Sequence, residues 1–258
     1  MSVKTKDLIK AIEMIAPKEL MEEWDNTGFQ LDLQHDMVSK ILICLDVNET
    51  TIAEAKESKC DFIISHHPLF FQNIHMISAG EAEGRYVIDL IQAGISVYAS
   101  HTSFDKTQGG NNDYLAELFE LREITTPEEA PILRIGFLYQ PIPLKDAYAY
   151  IKKKVTDASR FRVIGDLRKS IHKVAICSGA GSAYLKTAKE LDCDLLITGD
   201  VKYHDARTAE ELNIGLIDAG HFETEILFRE NMAEKLKGIL EKKVEIVLSQ
   251  NEKSPFKN

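Results

Sequence analysis

Five side chains of this 258-residue sequence have the types and spacing of a metal site: His66, His67, Asp105, His221 and Glu225. The run Ile63-Ile64-Ser65-His66-His67-Pro68 ends an apolar stretch in two adjacent imidazoles. Pro68 cannot donate to a strand ladder, so both histidines are expected at a strand end. His101 and His221 follow apolar runs of the same kind, and each opens a His-x-x-x-carboxylate pattern, ending in Asp105 and Glu225. Neutral imidazoles mixed with carboxylates suit zinc, iron, manganese or cobalt better than calcium or a thiolate-bound cluster. Five or six such ligands are too many for one tetrahedral ion, so two divalent ions are expected. A pair about 3.5–4 Å apart can share a hydroxide nucleophile, which is hydrolase chemistry.

The spacing also carries local geometry. His221 and Glu225 are four positions apart, which puts them on one helical face. Consecutive strand residues point to opposite faces, so His66 and His67 could serve different ions if the chain turns at Pro68. A lone histidine in such a place is more often a core or surface residue. It is the convergence of three motifs at strand ends that favours metal. His204, in Thr198-Gly199-Asp200-Val201-Lys202-Tyr203-His204, and His101 are candidates for proton transfer or for orienting the ligands. Trp24-Asp25-Asn26-Thr27-Gly28 reads as a turn before a short strand. Gly179-Ala180-Gly181-Ser182 reads as a tight turn before a helix, since it lacks the lysine of a phosphate loop. His35, His75 and His172 have no partner pattern. Cys44, Cys60, Cys177 and Cys193 form no CxxC pair and sit in or beside apolar runs, as buried hydrophobes do.

Elements able to hold those residues follow from the alternation of short apolar runs with helical patterns, the signature of an α/β fold with largely parallel strands. Strands are predicted over 41–47, 62–65, 95–99, 132–139, 174–178, 195–198, 214–218 and 244–248. Helices are predicted over 6–15, 51–59, 84–93, 112–121, 144–155, 183–191, 205–212 and 222–240. Residues 40–64 align without a gap on residues 173–197, with nine of 25 positions identical, including Cys44 with Cys177 and Cys60 with Cys193. The match resumes where Ala99-Ser100-His101 falls on Ala219-Gly220-His221 and Asp105 on Glu225. Such a repeat implies two similar α/β halves related by internal duplication. The halves are expected at 1–126 and 127–258, the C-terminal strand packing back on the first, with the metal site between them at strand carboxyl ends.

Composition sets outer limits. Thirty-one Lys and Arg against 41 Asp and Glu give a formal charge of -10, which argues against an extended phosphate-neutralising surface and against nucleic acid as the main partner. The apolar runs are far shorter than the roughly twenty residues of a membrane helix. Residues 1–10 lack the basic start and apolar stretch of a signal peptide, so a cytoplasmic protein is expected.

Taken together, Glu23-Trp24-Asp25-Asn26-Thr27-Gly28, Ser65-His66-His67-Pro68, His101-Thr102-Ser103-Phe104-Asp105, Thr198-Gly199-Asp200 with His204, and Gly220-His221-Phe222-Glu223-Thr224-Glu225 resemble the Nif-three-like dinuclear-metal family. Its members are often called GTP cyclohydrolase 1 type 2 homologues. The resemblance implies metal ligands at His66, His67, Asp105, His221 and Glu225, with His101 and His204 near the site. It implies a toroidal homohexamer of paired α/β halves, in the short form without an inserted domain. Asp200 stands where many relatives have glutamate. The implied function is metal-dependent hydrolysis of a nucleotide such as GTP, the substrate resting on the family name alone. The alternative is a non-catalytic metal-binding hexameric scaffold or a metal-handling protein.

Overall fold

The computed structural model describes residues 1–155, 161–241 and 243–256. In chain order the first unit contains β1 (Val3–Lys4), α1 (Thr5–Ile15), β2 (Gly28–Leu31), β3 (Met37–Val38), β4 (Lys40–Cys44), α2 (Glu49–Glu57), β5 (Phe62–Ser65), α3 (Ala82–Ala93), β6 (Ser96–Ala99) and α4 (Thr102–Lys106). The second contains α5 (Asn111–Leu118), β7 (Arg122–Thr125), β8 (Arg134–Pro143), α6 (Leu144–Lys154), β9 (Arg162–Ile164), β10 (Ser170–Ile176), α7 (Leu185–Glu190), β11 (Leu195–Thr198), α8 (Tyr203–Glu211), β12 (Gly215–Asp218) and α9 (His221–Glu225). The chain then re-enters the first unit with α10 (Phe228–Leu240) and β13 (Glu245–Leu248).

In the first unit five strands run in the order β13-β4-β5-β6-β2; the first four are parallel and β2 closes the edge antiparallel to β6. Alternation along the strands splits the apolar residues between two faces. Ile41, Ile43, Phe62 and Ile64 pack with Leu8, Ile12, Phe228, Met232 and Leu236 of α1 and α10. Leu42, Cys44 and Ile63 pack with Ile52 and Ala55 of α2 and with Val87 and Leu90 of α3. Each fully buried large side chain of this kind contributes about 1.5–3 kcal/mol. The N-terminus of α2 is closed by Asn48, whose side chain accepts from the Thr50 and Thr51 N–H groups while Thr51 returns a bond to the Asn48 backbone.

The second unit has six strands in the order β7-β8-β10-β11-β12-β9, parallel only from β10 to β12. Ile176, Leu195 and Ile197 face Leu115, Phe119 and Leu144, while Ala175, Cys177 and Leu196 face Leu185, Ala188 and Ala209. The parallel pairs repeat in register: Ile41 pairs with Phe62 and Ile43 with Ile64, as Val174 pairs with Leu195 and Ile176 with Ile197. These are the positions that the sequence repeat equates.

Several expectations shift. The units divide at Thr107 and again at Leu227, not at 126/127. Strand β7 pairs with β8, and α5 packs in the second core, so both leave the first half, while α10 fills the first core; β13 pairs with β4, so the C-terminal strand packs back on the first half as expected. The single helix expected over 222–240 is two, because Leu227 packs into the second core and fully buried Phe228 into the first. The sheets are mixed: short antiparallel strands β2, β7 and β9 lie at edges, and the ten-residue β8 lies inside the second sheet antiparallel to both its neighbours. No helix among the described residues is long and apolar enough to cross a membrane.

Candidate metal centre

In the first unit, three imidazoles gather where β5 and β6 end. The chain leaves β5 at Ser65, whose hydroxyl donates to the His67 carbonyl at 2.8 Å, and this bend brings the consecutive His66 and His67 rings to 5.2 Å from each other. His101, the residue capping α4, stands 5.1 Å from His66 and 5.5 Å from His67, ring to ring. One ligand nitrogen from each of the three lies within 4.8 Å of the others, close enough to hold a metal ion. Asp105, on α4, places Oδ1 3.7 Å from His66 Nε2 and is almost fully buried.

Each ring is oriented from behind. His66 Nδ1 lies 3.0 Å from the Ser100 carbonyl, which can only accept, so Nδ1 carries the proton and Nε2 the lone pair. His67 Nδ1 lies 2.8 Å from Asp46 Oδ1, and His101 Nδ1 lies 2.8 Å from Asp25 Oδ1. A carboxylate or carbonyl on one ring nitrogen, fixing the tautomer and raising the basicity of the other, is the usual support of a metal-ligating histidine.

Asp25 is the hub of that support. Its Oδ1 accepts from His101 and from the Asn26 N–H at 2.7 Å. Its Oδ2 accepts from the Thr102 hydroxyl at 2.5 Å, the Thr102 N–H at 3.1 Å and the Thr27 hydroxyl at 2.9 Å. Burial alone would raise its pKa, but the His101, Thr102 and Thr27 interactions outweigh it and hold the carboxyl well below the usual carboxylate range. Asp25 is therefore a fixed negative charge behind His101.

The second unit carries the other set. His221 opens α9 and its Nε2 lies 2.8 Å from Glu225 Oε2, one turn on. Its Nδ1 lies 2.7 Å from Asp200 Oδ2, repeating the carboxylate-behind-imidazole arrangement. Glu225 is buried. Gly179 makes room for it: a Cβ there would sit 2.1 Å from Glu225 Oε1 and 3.4 Å from His221 Cε1, at a backbone φ of +60° that also favours glycine. The Gly179 turn is a cradle for these two side chains. Its N–H donates to the Thr224 hydroxyl of α9 at 3.0 Å and its carbonyl accepts the Gly199 N–H at 2.7 Å.

The two His-x-x-x-carboxylate motifs differ in construction. Ser65 pairs with Ala99, and Thr198, its counterpart, pairs with Asp218 instead of Ala219, so the motifs stand one residue out of step on their sheets. His101 consequently caps α4 and turns to Asp25, leaving Asp105 to His66, whereas His221 lies inside α9 and meets its own Glu225. His204 is exposed on α8, its ring 5.3 Å from Tyr203, and belongs to none of the metal-capable groups. His35, His75 and His172 stay outside those groups too. The supporting residues Asp25, Asp46 and Asp200 escaped the sequence reading. Asp25 and Asp200 stand in family motifs of the sequence, but Asp25 falls in a segment that reads as a turn and neither position shows its partner histidine.

The donor set, imidazole nitrogens with fixed tautomers beside buried carboxylate oxygens, fits divalent transition ions. Comparison with known proteins agrees with the family features of the sequence. A protein from Clostridium perfringens described as a GTP cyclohydrolase 1 type 2 homolog is 35% identical, the match covering 98% of this chain and 99% of that protein. One of the same description from Clostridium acetobutylicum is 36% identical, over 100% and 99%. The fold is that of a Bacillus cereus protein related to NIF3, at a TM-score of 0.90, 22% identity and 99% of both chains. Reduced HcgD from Methanocaldococcus jannaschii is similar at a TM-score of 0.84 and 28% identity, over 97% and 99%. The model of the Duf34/NIF3 (NGG1p interacting factor 3) family matches residues 3–255, and the chain belongs to that family.

Proposed function

We propose that this chain is a metal-dependent hydrolase of a nucleotide such as GTP, working through a dinuclear divalent-metal centre with His66, His67, Asp105, His221 and Glu225 as ligands. The observation that carries the reading is the common construction of the histidines: His66, His67, His101 and His221 each have Nδ1 bonded to a carbonyl or carboxylate oxygen, the usual support of a metal-ligating imidazole. Two ligand sets, rich in neutral nitrogen and carrying two buried carboxylates, match zinc, iron or manganese. Ions bound there would supply Lewis acidity toward substrate and water.

The chain's own residues have separable tasks. Ser100, Asp46 and Asp200 hold His66, His67 and His221 in their ligating tautomers. His101, with a permanent negative charge behind it at Asp25, is suited to take a proton at Nε2 and return it. His204, exposed and outside both sets, is given no part in proton transfer. The nucleotide substrate is supported by the description of the curated relatives. The toroidal homohexamer and cytoplasmic location implied by the family resemblance belong to the same proposal. Solution mass and cell fractionation check them.

The test is turnover. Metal-loaded protein is offered a panel of nucleoside mono-, di- and triphosphates, GTP included, beside a His66→Ala variant of intact fold and assembly. Product formation by the native protein that disappears in the variant supports the hydrolase. Inactivity of fully loaded protein on the whole panel refutes it and favours the metal-binding scaffold.

A further inference from the structure

Two large aromatic side chains stand exposed beside the imidazoles of the first unit. Trp24, the only tryptophan of the sequence, is 64% exposed, with its ring 5.8 Å from His101 at an interplanar angle of 74°. Phe71 is 57% exposed, 5.7 Å from His101 at 83° and 6.4 Å from His67. Single exposed apolar residues are ordinary on a protein surface. Two aromatic rings set edge-on against one imidazole of a candidate metal centre are not a scattered pair.

The loops that carry them are tied to each other. Asn26 Nδ2 donates to the Phe70 carbonyl at 2.7 Å, the Phe70 N–H donates to Gln30 Oε1 at 3.2 Å, and Gln30 Nε2 donates back to the Asn26 carbonyl at 2.7 Å. On its other side the Trp24 loop is pinned by Asp25 to Thr102 and by the Glu22 N–H, which donates to the Thr102 hydroxyl at 2.9 Å. The two rings are thus anchored at both bases without being buried. Chain fixed in this way before binding leaves only the ring torsions to be ordered when a partner covers the rings.

We infer that Trp24 and Phe71 form an aromatic clamp that positions a planar heteroaromatic ring of the substrate beside His67 and His101. The inference rests on the reading of these imidazoles as the reactive centre and adds the chemical class of the group presented to it. The clamp recognises a flat π-face. Stacking of this kind tolerates many ring types, so the choice among heterocycles falls to other contacts.

The single tryptophan makes the test direct. Emission of Trp24 is followed while guanosine, cytidine and nicotinamide 5′-monophosphates, and separately ribose 5-phosphate, are titrated into the full-length protein; metal content and solution mass are measured on the same samples. Saturable quenching by at least one planar mononucleotide and none by ribose 5-phosphate is expected. In calorimetry, Phe71→Ala is expected to weaken that nucleotide about tenfold or more, with metal content and solution mass unchanged, while Trp24→Phe keeps binding within about threefold. Quenching by ribose 5-phosphate as strong as by the nucleotides, quenching by none of the three, or an unchanged affinity in Phe71→Ala overturns the clamp. So does a smaller assembly in Phe71→Ala with affinity unchanged, which would assign the rings to contact between copies of the chain. Absence of metal with the quenching intact refutes the metal centre and leaves the clamp standing, so the two failures are told apart.

Discussion

Replacing Asp25 with asparagine keeps the side chain's shape and removes its charge. The two carboxylate oxygens accept five hydrogen bonds between them, two at Oδ1 and three at Oδ2. An amide keeps one oxygen and turns the other into a donor that faces donors. The milder arrangement puts the NH2 group in place of Oδ1, and the Asn26 N–H and His101 Nδ1 then lose their acceptor. Asn26 is exposed and its N–H can turn to water, so the loss falls on the buried His101–Asp25 contact and is about 1–3 kcal/mol. Urea denaturation of metal-free protein at pH 7 reads this directly, since bound metal would add its own stabilisation. The midpoint is expected to fall with the slope unchanged. His101 also loses the carboxylate that sets its tautomer, and turnover is expected to fall by about 10–100-fold. A stability change below about 0.5 kcal/mol, with turnover within about twofold of native, would refute the assignment of Asp25 as the hub.

Other perturbations follow from the same structure. Gly179→Ala puts a Cβ 2.1 Å from Glu225 Oε1 and is expected to cost at least tenfold in metal affinity, read by competition with a chromophoric chelator. Asp200→Ala, which strips His221 Nδ1 of its acceptor, is expected to weaken metal by about 10–100-fold while circular dichroism stays native. Arg134 is buried, pairs with Asp113 at 2.8 Å and donates to the Pro131 and Leu133 carbonyls, so Arg134→Ala is expected to destabilise by about 3–5 kcal/mol in the same urea assay. Burial pushes the Cys60 and Cys193 thiols from 9.0 up to about 11, the latter against the pull of Lys173. A raised folded-state pKa gives stability that is fully present below pH 9 and lost as pH rises through about 11. Stability is therefore expected to be level between pH 7 and 9 and to fall above it, and both thiols should resist alkylation at pH 8 until the protein is unfolded.

The sequence spoke most clearly where chemistry and burial coincide. Strands β5 and β11 were expected at their observed bounds, because continuous apolar runs fully buried on both faces end sharply in His66 and Gly199. The His66-His67 bend was signalled by Pro68. Strands β7 and β9, by contrast, carry exposed or half-buried residues such as Arg122, Glu123 and Arg162, and their edge positions demand no apolar run. The orienting carboxylates were hidden for another reason: Asp25 meets His101 across 76 positions of chain, a partnership no local pattern records. Asp46 and Asp200 follow strands β4 and β11, and their place just past buried strand ends is the one signal that could have raised them. The match between the two His-x-x-x-carboxylate motifs concealed their difference, because a one-residue displacement on the sheet shows only in the strand pairing.

The dinuclear metal centre is tested by elemental mass spectrometry on protein purified without chelator or histidine tag, beside a His66→Ala, His221→Ala double variant. About two divalent ions per native chain are expected, with a large loss from the folded variant. Less than about a tenth of an ion per native chain, after reloading with zinc, manganese and anaerobic iron, would contradict it.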